Sequence, residues 1–348
     1  MRIVPTLSRD RSAGTVAATL LAAALLAGCG DDGEQAAEAD GEAAVELLAS
    51  FYPLADVAER VGGDRVAVTN LTPAGSEPHD LELTPDQVQD LEDADLVVVL
   101  GEGFQPAVEE VAGRREGTTL ELLELLPLEG GADDEVRAGG ADDGAAGDDH
   151  AAEAVGGDRE EADEEDDGHG HDDGLDPHVW LDPTMVSAMV DEVAQALAEV
   201  DPTGSETFEA NAGAYRAELE ALDGEMEAAL ADCERSTIVV SHEAFGWLAD
   251  RYGLRQEGIT GLSPEAEPNP ARLAELTDLV EDEGITTVFT EALVSPAVAE
   301  ALAREAGVTT AVLDPLEGLT DEQLAGGATY GSVMRENLAA LQDALGCR

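Results

Sequence analysis

Four residues in this chain are of the kinds that hold metal ions, and their placement suggests that they act together. His79 lies in Ser76-Glu77-Pro78-His79-Asp80, His178 in Asp176-Pro177-His178-Val179-Trp180-Leu181-Asp182-Pro183, and His242 in Ser241-His242-Glu243. Asp314 precedes Pro315. Each sits at the edge of an expected element rather than inside one. Loops that leave the carboxyl ends of parallel strands line the crevice where ligands bind. A lone loop histidine is usually just solvated, but four such residues from both halves of the chain form a pattern. Three imidazoles and one carboxylate fill a tetrahedral shell of the kind zinc accepts, and three ligands plus a water give the catalytic variant. Asp176, Glu243 and Glu291 stand where each is either an ordinary cap or the acceptor of a ligating imidazole's second N–H, which would fix its tautomer. A zinc hydrolase would also need a general base and a substrate pocket, and the sequence carries a motif for neither. A binding protein without turnover is therefore expected, not an enzyme.

The elements that must position these residues alternate between strands and helices. A strand over Val45–Ser50, a helix over Tyr52–Val61 and a strand over Val66–Leu71 fit the apolar spacing. Thr84, Pro85 and Gln87 open a further helix through a capping box, and it leads to a buried strand over Asp95–Leu100. Helices are expected over Pro183–Val200, capped by Asp182, and over Gly204–Ala231. A second set of strands, at 237–240, 255–260, 287–290 and 309–313, alternates with helices and ends in a helix over 327–345. This order implies parallel sheets covered on both faces. The expected fold is two parallel-sheet α/β lobes joined by one long helix, with a metal site in the cleft between them. Trp180 and Trp247 are expected to pack in the core or between the lobes.

Composition narrows the partners. The 348 residues hold 78 Asp+Glu against 17 Lys+Arg, a formal charge of -61, and every basic residue is Arg. Nucleic acid is excluded as a partner, since neutralising phosphates needs a basic patch. A heavily hydrated acidic surface also suits a high-salt habitat. The segment 129–175 is Asp, Glu, Gly and Ala with His150, His169 and His171 scattered through it. It has too little apolar surface to offset its ordering entropy, so a disordered acidic loop is expected.

The first residues read as an export signal. Arg2, Arg9 and Arg11 precede an apolar run over Ala13–Ala27 that is too short to span a bilayer. The run ends in the lipobox Leu26-Ala27-Gly28-Cys29. The expected divisions are a signal peptide over 1–28, lipidated Cys29 with a tether over 29–44, and an N-terminal lobe over 45–128. The acidic loop follows, then the end of the N-terminal lobe over 176–203, a connecting helix over 204–231 and a C-terminal lobe over 232–348. With Cys29 assigned to lipid, Cys233 and Cys347 remain, either as one disulfide or as two buried thiols.

On these motifs, together with Gly261-Leu262-Ser263-Pro264-Glu265-Ala266-Glu267-Pro268, Val288-Phe289-Thr290-Glu291 and Leu313-Asp314-Pro315-Leu316, the chain resembles the metal-binding proteins of zinc and manganese ABC importers. The likeness is strongest to the zinc-uptake (ZnuA-type) branch and runs from Val45 onward. It implies an extracytoplasmic, lipid-anchored monomer that captures Zn2+ and delivers it to an ABC permease and its ATPase. It also implies ligands at His79, His178 and His242, with the fourth position at Asp314. Manganese members commonly carry Glu at the third position, so His242 points to zinc, with Mn2+ or iron as the alternative cargo and a surface adhesin as a more distant one. Some zinc members place Glu just before the first histidine; Pro78 stands there in this chain, which moves the fourth role to Asp314 or water. The branch's His-rich loop is present in position, but with few histidines.

Overall fold

The computed structural model describes residues 44–128 and 175–348. The signal peptide, Cys29 and all but the last residue of both the tether and the acidic loop lie outside the described residues. Among the described residues no helix is long and apolar enough to cross a membrane.

Two four-stranded parallel sheets organise the chain. The first holds β1 (Val45–Ala49), β2 (Val66–Asn70), β3 (Leu96–Val99) and β4 (Thr118–Glu121) in the order β2-β1-β3-β4. The second holds β5 (Thr237–Val240), β6 (Arg255–Gly258), β7 (Thr287–Thr290) and β8 (Thr309–Val312) in the order β6-β5-β7-β8. The two orders are the same permutation, so each sheet reverses its winding between its first and third strands. The segments leaving those two strands border a crevice at the carboxyl edge. Strands β3, β5 and β7 are buried at every position, as a sheet covered on both faces requires.

Helices α1 (Tyr52–Gly62), α2 (Pro85–Asp93) and α3 (Pro106–Ala112) belong to the first half of the chain. A 3-10 turn at Val179–Leu181 leads into α4 (Pro183–Val200), whose first turn is capped by the Asp182 carboxylate accepting the Thr184 N–H. Next comes α5 (Ser205–Leu230), 26 residues and so about 39 Å long. The second half adds α6 (Gly246–Tyr252), α7 (Pro270–Glu283), α8 (Ala297–Ala306), α9 (Asp321–Gly326) and α10 (Tyr330–Leu345).

The long helix is fastened to both halves. Asn211 donates to the Val61 carbonyl, Tyr215 donates to Asp56, and Glu218 pairs with Arg60, all on α1. A turn further on, Asp223 accepts from Arg251 and from Tyr252 of α6, and Glu225 accepts two bonds from Arg335 of α10. One cluster of buried side chains runs from Leu47 and Val98 of the first sheet, through Phe208 and Leu222 of α5, to Val240 and Phe289 of the second. The end of α10 is joined covalently to the segment after α5, because Cys233 and Cys347 form a disulfide.

Three elements depart from the sequence reading. Strand β4, helix α3 and helix α9 are short, and none carries an apolar run: β4 is the edge strand Thr-Thr-Leu-Glu with no fully buried residue. Its identity comes from pairing with β3, which a local pattern does not reveal.

Candidate metal centre

The three histidines arrive from different places. His79 lies in the stretch between β2 and α2, His178 directly precedes the 3-10 turn before α4, and His242 is two residues beyond β5. The structure brings all three rings together. Their Nε2 atoms converge on one carboxylate oxygen, Oε1 of Glu317, at 3.2 Å from His79, 3.2 Å from His178 and 3.1 Å from His242. The four ligand atoms lie within 4.8 Å of one another. His178, His242 and Glu317 are buried, and His79 is on the lip, with 14% of its side chain exposed.

Asp314 is not in this group, which corrects the sequence expectation. Its carboxylate accepts the Leu316 N–H at 2.8 Å and the Gln323 side-chain amide at 2.8 Å. Its own N–H donates to Asn337 Oδ1, and its carbonyl accepts from Asn337 Nδ2. Asp314 therefore shapes the turn after β8. That turn passes through Leu316 at φ 57°, a left-handed conformation that is costly for a branched apolar residue and is held here by complete burial. Glu317 comes next and faces the histidines. Sequence reasoning missed it, although it follows the Leu313-Asp314-Pro315-Leu316 motif directly.

Two of the three expected outer carboxylates contact the rings. Asp176 sits 2.7 Å from His178 Nδ1 and also accepts the His178 N–H. Glu291, the first residue after β7, lies 2.9 Å from His242 Nδ1 through either oxygen. That pairing follows from topology, since β5 and β7 are neighbours at the winding reversal. Glu243 does otherwise: its backbone N–H donates to the Gly261 carbonyl, and its side chain lies against Gly258, so it bonds none of the three imidazoles. Trp180 is fully buried and donates to the Pro315 carbonyl at 2.7 Å, so it braces the turn that carries Glu317. Trp247 donates to the Asp176 carbonyl at 3.0 Å.

Charge is concentrated here. Burial would lower the His242 pKa, but hydrogen bonds with Glu291 and Glu317 outweigh it and raise the value to about 10. Burial would raise that of Glu317, but the surrounding imidazoles of His178, His242 and His79 hold it well below the usual carboxylate range. Burial and the neighbouring Glu317 push Glu77 up to about 9. Glu77 is a further residue that sequence reasoning passed over: its carboxylate is 4.0 Å from His79 Nε2. Several buried polar atoms around the cluster have no hydrogen-bond partner, namely His178 Nε2, Glu317 Oε2 and both carboxylate oxygens of Glu77. Buried polar atoms without partners are rare in folded proteins, and an unplaced ion is one of the ordinary explanations. The donor set, three imidazole nitrogens and a carboxylate, fits zinc.

Segments from both halves of the chain meet over the site. The Gly75 N–H donates to the Leu319 carbonyl at 2.8 Å, from a φ of 74° that favours glycine. At Gly318 a Cβ would stand 3.3 Å from both Leu293 Cδ1 and the Ser76 carbonyl. A side chain there would press the two loops apart.

Two parallel-sheet lobes, bridged by a single long helix and sharing one buried cluster of three histidines and a carboxylate, define a metal-binding solute-binding protein. Comparison with known proteins gives the family. The family model described as "Zinc-uptake complex component A periplasmic" matches residues 47–344, and the chain belongs to this ZnuA family. It is 37% identical to the zinc-binding lipoprotein AdcA of Streptococcus pneumoniae over 309 residues, which make up 88% of this chain and 56% of that one. The chain thus spans about half the length of the AdcA relatives it matches. It is 31% identical to the high-affinity zinc uptake system protein ZnuA of Bacillus subtilis, over 92% of this chain and 94% of that one. Among solved structures, the Zn(II)-bound ZnuA-like domain of the pneumococcal AdcA superposes with a TM-score of 0.65 at 33% identity, covering 86% of this chain and 98% of that one. The laminin-binding protein Lmb of Streptococcus agalactiae, described as having adhesin and metal-transporting activity, gives 0.69 at 26% identity, covering 86% and 99%.

Proposed function

We propose that the protein is the extracytoplasmic zinc-binding component of an ABC importer. It takes Zn2+ between His79, His178, His242 and Glu317 and passes it to a membrane permease driven by its ATPase. Lipid attached to the Cys29 thiol keeps it at the membrane. The observation that carries this reading is the convergence of three Nε2 atoms on one Glu317 oxygen, beside buried polar atoms that have no partner. The similarity to zinc-binding AdcA and ZnuA supports zinc as the cargo. Capture and release without turnover suits the site, whose donors are placed to surround a cation. The test is metal content and X-ray absorption on protein offered zinc and manganese together. One zinc per chain with a shell dominated by imidazole supports the reading; a preference for manganese, or a mainly oxygen shell, sinks it.

Proton competition follows from the electrostatics. Zinc requires neutral imidazoles, whereas in the metal-free site Glu291 and Glu317 raise the His242 pKa and favour the protonated ring. Binding at neutral pH must therefore expel protons, and zinc affinity should climb as pH rises. The stability of the metal-free protein should run the other way. A histidine whose folded pKa is raised contributes fully below its unfolded value near ~6.5, and that contribution is lost as pH rises through the folded value. Calorimetric titration in buffers of different ionisation enthalpy measures the protons released per zinc. His242→Glu should release fewer and retain zinc over a shallower pH curve. Equal proton release by both proteins would refute the account.

A further inference from the structure

We propose that Gln105 is a positioning residue for His79, holding the loop that carries this imidazole through its side-chain amide; this rests on the zinc site proposed above. Among the three histidines, His79 is the weakly held one. His178 Nδ1 is fixed by Asp176 and His242 Nδ1 by Glu291, but among the described residues nothing hydrogen-bonds His79 Nδ1. Its orientation must come from its backbone and from ring packing. Phe104 supplies the packing, edge-on with ring centroids 4.6 Å apart. Gln105, the next residue, supplies the backbone anchor.

The Gln105 amide nitrogen donates to the Pro78 carbonyl at 3.2 Å, immediately before His79. It also reaches Thr72 Oγ1 at 3.2 Å and, more weakly, the Ser50 carbonyl at 3.5 Å. Thr72 Oγ1 itself donates to the Ser50 carbonyl at 2.8 Å. One buried amide thus ties the start of the His79 loop, the residue just before His79 and the carboxyl end of β1 into a single knot. Gln105 is only 3% exposed. It is the N-cap residue of α3, a position where a side chain ordinarily accepts the helix's own N–H groups. Gln105 makes no such bond. Glu109, a turn further on, accepts the Gly103 and Gln105 N–H groups, and the glutamine side chain faces the loop.

The topology gives the same assignment independently. In the second sheet, the segment leaving the third strand, β7, carries Glu291 across the winding reversal to His242 on the segment leaving β5. In the first sheet, the segment leaving the third strand, β3, carries Gln105 across the corresponding reversal to Ser50 and Thr72. One lobe grips a ligand's ring from this position; the other grips a ligand's loop.

The test is a double-mutant cycle with zinc affinity as the readout. Gln105→Met keeps the length of the side chain and removes the donor. It should weaken zinc binding roughly tenfold in the otherwise wild-type chain, the scale for losing a group that orients a ligand. In a His79→Ala background the same change should cost almost nothing, because the arm it orients is gone. Amide exchange in the metal-free Gln105→Met protein should quicken over residues 73–80, while β5 and β7 exchange as before. Equal losses of affinity in the two backgrounds, or unchanged exchange in the loop, overturn the proposal while zinc binding by the wild type stands. A wild type that takes up no zinc overturns the underlying reading and this inference with it.

Discussion

Glu317→Gln should abolish tight zinc binding, while Asp314→Asn should leave one zinc per chain bound. The contrast separates two acidic residues only three positions apart. Glu317 Oε1 is the point on which all three Nε2 atoms converge, so the amide replaces the anionic donor of this cluster with a neutral group. The loss should be at least ~100-fold in Kd, since removing an outer partner of a ligand alone costs 10–100-fold. Asp314 does its work on the chain itself. The asparagine keeps an acceptor for the Leu316 N–H but cannot match the charge that holds Gln323. Its cost should appear in folding stability, on the scale of about 1–3 kcal/mol for a disturbed buried hydrogen bond. Chelator competition reads the first effect and urea unfolding of the metal-free protein reads the second. If Asp314→Asn loses the metal and Glu317→Gln keeps it, the two roles are reversed.

The second large effect concerns the covalent link. Converting both Cys233 and Cys347 to Ser should lower stability by about 4 kcal/mol, because the link spans 114 residues and a loop of this size restricts the unfolded chain strongly. The bond joins the end of α10 to the segment after α5, and both neighbourhoods are packed: the Glu234 and Arg235 N–H groups donate to the Leu345 carbonyl, and Arg235 donates to Ala344. Those contacts should keep the reduced protein folded at room temperature, with its midpoint lowered. None of the hydrogen bonds of the metal cluster involves the segments that the disulfide joins, so zinc stoichiometry should be unaffected. Equilibrium denaturation with and without reductant gives the difference. A gap below about 1 kcal/mol would mean that the unfolded ensemble already holds the two segments close.

How much of this was legible in the sequence depended on whether the signal was local. The central strands β3, β5 and β7 are short runs of branched apolar residues, and burial on both faces is written into them. The helix start at Thr84 was equally readable from its capping box, whereas the capping box at Thr320 opens a helix too short to show a pattern. Edge strand β4 was not, because Thr-Thr-Leu-Glu becomes a strand only through pairing with β3. The site divided in the same way. Histidine is scarce here, six in 348, so the three at the edges of expected elements stood out. Glu317 is one of 78 acidic residues and looks like any of them. What distinguishes it is burial, and that is set by a left-handed residue at Leu316 and by Trp180 bracing Pro315 from a distant segment. Asp314, beside a proline and directly after a strand, offered the stronger local signal and held the structural role.

The continuous core has a consequence for how the molecule comes apart. Side chains of both sheets and of the long helix belong to one buried cluster, and Tyr330 of α10 donates to the Trp180 carbonyl across 150 positions of sequence. Melting either sheet alone would expose the faces of α5 and α10 that the other sheet's layers still need. Half-unfolded species are therefore penalised on both sides of the interface, and the lobes should be lost in a single cooperative event with matching calorimetric and van't Hoff enthalpies. Heat, denaturant or a core substitution anywhere in that cluster is then felt at the metal-binding loops as a change in the population of the whole folded state, with no stable fragment left to bind on its own.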